Sequence, residues 1–221
     1  MGDTHKPKRG SMAFSPRKRA RRHFGRVKSW PDTDSKEVRV QGFAGWKAGM
    51  THVLLRDTNP GSPSSGQEVR KAVTVVEVPP LRVLGVRGYR MTVYGMQTSG
   101  EAWADSEKLS ESIPELSRRV PKRLEHDSEA HHEALCEKAG SGGLCEVRLI
   151  VATQPHTMNS TSSKTPELME MGLTGGDLQA QLAWAKEQFG NEVGIQDVFL
   201  DGADIDVVGI TKGKGWQGSV K

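Results

Sequence analysis

The N-terminal thirty residues carry a charge pattern that opposes packing of this segment against itself. They hold ten lysines and arginines against the single acid Asp3, a net charge of +9, whereas the rest of the chain has 21 basic and 26 acidic side chains, a net of −5. Prolines and glycines interrupt the segment, and no apolar periodicity is sustained in it. Because clustered like charges repel one another, residues 1–37 are predicted to form an extension that does not fold alone.

The extension also has the composition of a nucleic-acid ligand. Its cations alternate with Phe14, Phe24 and Trp30, and such side chains neutralise phosphates and stack on bases. A solvated basic tail or a nuclear-localisation-like address is the alternative. The side chains predicted to bind nucleic acid here are Lys6, Lys8, Arg9, Arg17, Lys18, Arg19, Arg21, Arg22, Arg26, Lys28 and Trp30.

Beyond the extension, the pattern predicts a mixed β and α/β fold. Short β-rich runs occupy residues 38–57, 69–78 and 81–95, and "DIDVVGI" at 204–210 is predicted as a further strand. Helix-like segments are predicted at about 127–139 and 166–190, with a strand in "CEVRLIVATQ". We therefore expect an antiparallel β-barrel formed by residues 38–95 and 201–221, interrupted by an inserted α/β lobe at 96–200.

The sequence contains neither a membrane-spanning segment nor a secretory signal, and this predicts the cellular compartment. It has no apolar run of membrane-spanning length and no secretory signal, so a cytosolic protein without membrane partners is predicted. Only Cys136 and Cys145 are present, and both are expected to be free thiols.

A glycine loop near the end of the chain satisfies an enzyme pattern. Residues 213–218 spell a literal G-x-G-x-x-G after a predicted strand, the phosphate-binding pattern of dinucleotide enzymes. That site needs a helix opening at the loop and an acid about 20 residues further on, and neither is predicted. A nucleotide-dependent enzyme is kept as an alternative function, while no cofactor, no catalytic residue and no small-molecule substrate are predicted.

Histidines and cysteines cluster between His126 and Cys145. His131, His132 and Cys136 lie within this stretch, but Cys136 and Cys145 are separated by eight residues, which is too many for the ligand pairs of a structural zinc site. A surface helix with polar histidines is predicted instead, and no metal.

Four separated blocks resemble one protein family. "KRGSMAFSPRKRARR", "SWP", "VQGFAGWKAGMTH" and "VVGITKGKGWQGSVK" are similar, in order and approximate spacing, to segments of the large-subunit ribosomal protein L3 family in its archaeal and eukaryotic form. The resemblance implies a translation-protein-like β-barrel with an inserted α/β domain. It also implies a structural, non-catalytic role in the cytoplasmic ribosome, where the protein binds large-subunit ribosomal RNA, touches neighbouring ribosomal proteins and supports subunit assembly.

Carried over block by block, the resemblance adds further RNA contacts. Ser11 and Ser15 would offer hydroxyls to phosphate or to a 2′-OH, and Lys47, Lys212, Lys214 and Lys221 would add cations. Archaeal members of the family continue well past the last block, so a C-terminally truncated form with an incomplete barrel is expected. A DNA-associated chromatin protein remains the other alternative, but it does not explain the four blocks.

Overall fold

The architecture is described from a computed structural model, which defines residues 10, 18–31, 33, 35–105, 116, 128–215 and 217–220. The chain divides into two compact units. The first combines Met1–Ser29 with Asp204–Lys221, and the second is Trp30–Ala203.

The second unit contains all the helices and strands found among the described residues. In chain order they are β1 (Arg39–Val40), β2 (Trp46–Arg56), β3 (Glu68–Glu77), β4 (Leu81–Thr92), β5 (Gly95–Trp103), α1 (Ser128–Gly140), β6 (Glu146–Ala152), β7 (Leu168–Thr174), α2 (Leu178–Glu187) and β8 (Glu192–Val193). Short 3₁₀ turns cover Pro155–Thr157 and Ile195–Asp197. Every pairing between these described strands is antiparallel, which confirms the predicted mixed β and α/β class at this level.

Of the strands in the described part of the chain, six form one sheet and two form another. The larger sheet has the order β1-β7-β6-β4-β5, with β8 paired to the start of β4, and the smaller sheet is the β2–β3 hairpin. β4 pairs with β5 on one side and with β6 on the other. The larger sheet therefore contains strands from both 38–95 and 96–200.

The core lies on both faces of the larger sheet. On β6, Val147, Leu149 and Val151 join Leu135 of α1 and Leu182 of α2 in one buried cluster. Ile150 belongs to a second buried cluster, together with Leu84 of β4. Because successive strand residues point to opposite faces, continuous burial along β6 places apolar side chains against both faces of the sheet.

Helix α1 confirms the prediction for 127–139, whereas the prediction for 166–190 was right only in part. Its second half is α2, where Leu182 and Ala185 are buried, and Gly190, at φ 80°, follows the helix. Its first half is strand β7. Helical periodicity failed there because Leu168–Thr174 is held between β6 and β1 by strand pairing, a long-range interaction that overrides local propensity.

The strand predicted for 204–210 is wrong. These residues form no strand pair with any described residue, and all of them are exposed. Alternation of apolar and acidic residues produced the prediction, yet a strand also needs a hydrogen-bonding partner.

Candidate nucleic-acid interface

The described part of the basic extension is an exposed chain without helix or strand. Residues 18–29 have neither element, and the predicted contacts Lys18, Arg19, Arg21, Arg22, Arg26 and Lys28 are all exposed. Phe24 and Val27 are half-buried, but the six closely spaced cations of this segment are exposed. Its side chains are therefore free to reach a large polyanionic surface.

The terminal loop belongs to the same compact unit as the extension. Lys212 and Lys214 are exposed in it, and the two segments approach closely at Gly25, where an added Cβ would lie 2.5 Å from Cγ1 of Val208. By sequence this unit has thirteen Lys or Arg against three acids, a net charge of +10. The unit Trp30–Ala203 has 18 basic and 24 acidic side chains, a net of −6.

The two units also differ in how their cations are compensated. Among the described residues, none of Lys18, Arg19, Arg21, Arg22, Arg26, Lys28, Lys212 or Lys214 lies within 4.0 Å of a carboxylate. Positive charge without a nearby acid produces a potential that attracts polyanions. The unit of residues 1–29 and 204–221 therefore has the electrostatics of a phosphate-binding surface.

Several cations of the second unit are instead neutralised internally. Arg148, whose side chain is only 3% exposed, lies 2.6 Å from Glu146 and 3.6 Å from Glu170, with its guanidinium 4.6 Å from the centre of the Tyr89 ring. Arg87 bridges Glu101, at 2.7 Å, and Glu170. These pairs make both arginines part of the fold, because their charges are already engaged by carboxylates.

The pKa values in this network follow its contacts. Burial opposes the charge of Arg148, but its hydrogen bond to Glu146 and the neighbouring carboxylates outweigh burial, so the pKa of Arg148 is raised above its usual value. Burial and the hydrogen bond that its hydroxyl donates to Glu170, 2.7 Å away, raise the pKa of Tyr89. The arginines stay charged and the tyrosine stays neutral at any physiological pH.

Lys47 and Trp30, both predicted RNA contacts, lie in the second unit. Lys47 is exposed on β2, beside a register shift between Lys47 and Gly49. Trp30 is half-buried against the main core cluster, and its ring covers Gly42 and Gly172. Part of the Trp30 surface is therefore used by the fold.

The remaining predicted contacts lie outside the described residues. They are Lys6, Lys8, Arg9, Ser11, Ser15, Arg17 and Lys221, and they stay predictions. Sequence reasoning separated the extension from the rest by charge, but it placed the terminal loop in the acidic body. The close spacing of Lys212 and Lys214 was the available signal that this loop belongs to the basic unit.

Comparison with known proteins agrees with the four sequence blocks. The family model described as ribosomal protein L3 matches residues 1–221. This chain belongs to the ribosomal protein L3 family. Curated relatives named large ribosomal subunit protein uL3 include one from Archaeoglobus fulgidus, 43% identical over 217 residues, or 98% of this chain. Others come from Methanothermobacter thermautotrophicus, 42% identical over 222 residues, and Methanosphaerula palustris, 40% identical over 221 residues, each covering 100% of this chain.

The L3 relatives are longer than this chain. The chain spans 62% of the Archaeoglobus relative, 63% of the Methanothermobacter relative and 64% of the Methanosphaerula relative. Family membership therefore rests on nearly every residue of this chain and on a little under two thirds of each relative.

The glycine motif of this L3-family chain does not have the surroundings of a dinucleotide site. Residues 213–215 and 217–220 have no helical conformation, so no helix N-terminus faces the loop as pyrophosphate binding requires. Gly215, with φ 70°, adopts a backbone conformation that favours glycine. Flanking lysines on an irregular loop suit a phosphate backbone better than a nucleotide pocket.

The prediction of a surface helix with polar histidines was wrong for His132. This side chain is buried, its Nε2 donates to the carbonyl oxygen of Leu182 at 3.0 Å, and its Nδ1 lies 3.6 Å from Sγ of Cys136. The i, i+4 spacing of His132 and Cys136 places both toward α2, so the pair joins the two helices. Cys136 and Cys145 are both free, as predicted, and burial raises the pKa of each thiol.

The described part of the chain contains no helix suited to crossing a membrane. Its longest helix, α1, has 13 residues, whereas a bilayer requires roughly 20.

Proposed function

We propose that this chain is a structural constituent of the large ribosomal subunit that binds large-subunit ribosomal RNA and supports subunit assembly and translation. One observation carries the proposal: the exposed cations of the unit formed by residues 1–29 and 204–221, which has a net charge of +10, have no carboxylate partners among the described residues. Membership of the L3 family selects ribosomal RNA over other polyanions, since the relatives are named as large-subunit proteins.

The proposed mechanism is electrostatic. Each lysine or arginine that meets a phosphate releases counterions, with a salt slope of about −0.7 to −0.9 per contact. A segment such as residues 18–29, without helix or strand of its own, follows the RNA path and gains order from the RNA. By contacting several RNA segments at once, the unit would hold them together during assembly. The role requires no catalytic residue, and the protein would act in the cytoplasm as part of the ribosome.

We also propose the barrel and the lobe expected from the family. In this proposal residues 38–95 and 201–221 contribute to a translation-protein-like barrel, and 96–200 form the inserted lobe. Support comes from the β2–β3 hairpin, which exposes neighbouring apolar side chains on both strands. On β2, Leu54 is 66% exposed and Leu55 is 47% exposed, and on β3, Val75 is 47% exposed and Val76 is 45% exposed. Apolar side chains on both faces of a two-stranded sheet need cover, because such a hairpin is marginal alone. Strand β4, which lies within 38–95, pairs with β6 of the lobe, so the two parts would meet in one sheet.

The partners follow from this placement. They are large-subunit ribosomal RNA and neighbouring proteins of the large subunit, and the name of the relatives, large ribosomal subunit protein uL3, supports both. No small-molecule substrate is proposed.

Two measurements test the function. Sedimentation of the tagged chain from an archaeal host through a salt-containing sucrose gradient should show co-migration with the large subunit. Filter binding at moderate salt should favour large-subunit ribosomal RNA over an unrelated RNA of equal length and over duplex DNA. If the chain binds all three nucleic acids with equal affinity and is absent from the large-subunit fraction, the proposed ribosomal function is wrong. A preference for duplex DNA would support the alternative of a DNA-associated chromatin protein.

A further inference from the structure

The turn between β4 and β5 exposes apolar side chains at its tip. Val93 is 98% exposed and Tyr94 is 94% exposed, and the flanking Met91 and Met96 are exposed by 67% and 37%. Thr92 pairs with Gly95 across this two-residue turn. The two side chains at the tip are therefore almost as accessible as in an unfolded chain, although the hairpin beneath them is well formed.

The residue types at the tip are uncommon for an exposed turn. Two-residue turns favour Asn, Asp, Gly and Pro, because these residues adopt the required backbone angles and remain soluble. The two turn residues here are Val93 and Tyr94, and the glycine with a positive φ, Gly95 at 102°, follows them. Fully exposed Val93 and Tyr94 contribute nothing to the packing of the free chain. A group of exposed apolar side chains that does not stabilise the fold is typical of an interaction site.

The hairpin holds the tip in a defined position. Thr92 donates from Oγ1 to the carbonyl oxygen of Gly95 at 2.7 Å, closing the turn. On the β5 side, Sγ of Cys145 lies 4.0 Å from Sδ of Met96. A prearranged turn loses little conformational entropy on binding, so Tyr94 is suited to enter a pocket without rearrangement.

The composition of the tip favours a protein over RNA as the occupant. Residues 90–98 contain one charged side chain, the exposed Arg90, and no Lys, Asp or Glu. Tyr, Met and Arg are enriched at protein interfaces, and Lys, Asp and Glu are depleted. An RNA-binding tip would need several cations near the phosphates, whereas the unit that carries this turn has a net charge of −6.

We propose that the β4–β5 turn is a docking knob for a neighbouring basic protein of the large subunit, with Tyr94 and Val93 entering an apolar pocket on that protein. Met91 and Met96 would line the sides of the knob, and Arg90 would lie at its polar rim. The negative charge of the unit Trp30–Ala203 complements a basic partner. The inference rests on the proposed ribosomal function and assigns one of its protein contacts to particular residues.

A photo-crosslinking experiment tests the knob. Tyr94 is replaced by p-benzoyl-phenylalanine in the tagged 221-residue chain, the large-subunit fraction is isolated from an archaeal host, and that fraction alone is irradiated. The matched control carries the same amino acid in place of Glu129, which is 83% exposed on α1. We expect the yield of a crosslink to a basic large-subunit protein to be several-fold greater from position 94 than from position 129. Mass spectrometry should map that crosslink to an apolar pocket on the partner.

Other results would overturn the inference. A Tyr94 crosslink to ribosomal RNA would favour an RNA contact, and a crosslink within this chain would mean that the chain covers its own turn. Equal yields at the two positions, or no crosslink in subunits that contain the chain, would exclude a protein contact at the turn. If neither the photo-reactive chain nor the unsubstituted chain is found in the large-subunit fraction, the proposed function is overturned, and so is the docking proposal that rests on it.

A double substitution supplies an independent measurement. Val93→Ser with Tyr94→Ser should leave the melting temperature of the free chain unchanged, because neither side chain packs against it. Binding to the crosslinked partner should weaken roughly tenfold or more, as expected for loss of a buried aromatic anchor. Unchanged affinity would contradict the proposal.

Discussion

The indole ring of Trp30 covers Gly172 of β7 so closely that a Cβ on this glycine would lie 2.5 Å from Cγ of Trp30. The same ring covers Gly42, where a Cβ would lie 2.8 Å from Cη2. Beside it, Nε2 of Gln41 donates to the carbonyl oxygen of Pro31, and the backbone N–H of Gln41 donates to Gly172 at 2.9 Å. Trp30 is the first residue of the second compact unit, so this contact fixes the start of the folded body.

Substitution of Gly172 by alanine should destabilise the chain. The added methyl displaces the Trp30 ring or shifts β7, and overpacking of this kind costs about 1–3 kcal/mol of unfolding free energy. Gly49→Ala is the matched control, since a Cβ at Gly49 meets nothing within 4 Å, and it should change the unfolding free energy by less than about 0.5 kcal/mol. Urea unfolding measures both, and equal values would mean that Trp30 is not held against Gly172.

Replacing the two terminal-loop lysines should weaken RNA binding through its salt dependence. Lys212→Ala with Lys214→Ala should lower the magnitude of the slope of log affinity against log salt by about 1.4 to 1.8, if each lysine meets one phosphate. The control is Lys138→Ala with Lys186→Ala, because Nζ of Lys138 already donates to Ser99 at 3.0 Å and Nζ of Lys186 lies 3.8 Å from Glu129. An equal loss of slope in the control would show that phosphate binding is not confined to the basic unit.

Removal of the buried Arg148 guanidinium should lower the stability of the chain far more than removal of the exposed Arg39 guanidinium. Arg148→Met leaves Glu146 and Glu170 without this cation, and we expect the free energy of unfolding to fall by about 2–4 kcal/mol. This is less than for a fully buried pair, because each glutamate is about a quarter exposed. Arg39→Met breaks a pair of 2.6 Å with Glu37, but these side chains are 53% and 76% exposed, so about 0–1 kcal/mol is expected. Thermal unfolding at neutral pH compares them, and a small effect at Arg148 would contradict the network.

The loop after β2 should respond to acid only at very low pH. Hydroxyls of Ser62 and Ser64, with the backbone N–H of Asn59, lower the pKa of Asp57 from 3.8 to about 2, and Oγ of Ser64 donates to the carboxylate at 2.6 Å. Because the folded pKa is depressed, the stabilisation is present above about pH 4 and is lost as the pH falls toward 2.

Carboxyl chemical shifts measured by NMR should follow this titration of Asp57. Ser62→Ala with Ser64→Ala should return the midpoint toward 3.8, whereas Ser65→Ala should leave it near 2. A midpoint near 3.8 in the unsubstituted chain would show that the serines do not stabilise the carboxylate.

Local patterns predicted the elements whose own sequence has a clear apolar pattern. The β-rich runs contain β2, β3 and β4, and the second half of the helix predicted at 166–190 is α2. Strand β5 was not predicted, since "GMQTSGEAW" has little apolar character and forms a strand through pairing with β4. Strand β7 was mistaken for helix for the same reason: its conformation depends on β6, sixteen or more residues away in sequence.

The sequence by itself determined the segregation of charge, because net charge depends only on which residues are present, and the four blocks that resemble the L3 family. Tertiary structure decided which charges remain available. It paired Arg87 and Arg148 with glutamates, buried His132 between two helices, placed Trp30 on Gly172, and joined Lys212 and Lys214 to the basic unit. The physical reason is that pairing, burial and close approach depend on residues far apart in the chain, which no local pattern specifies.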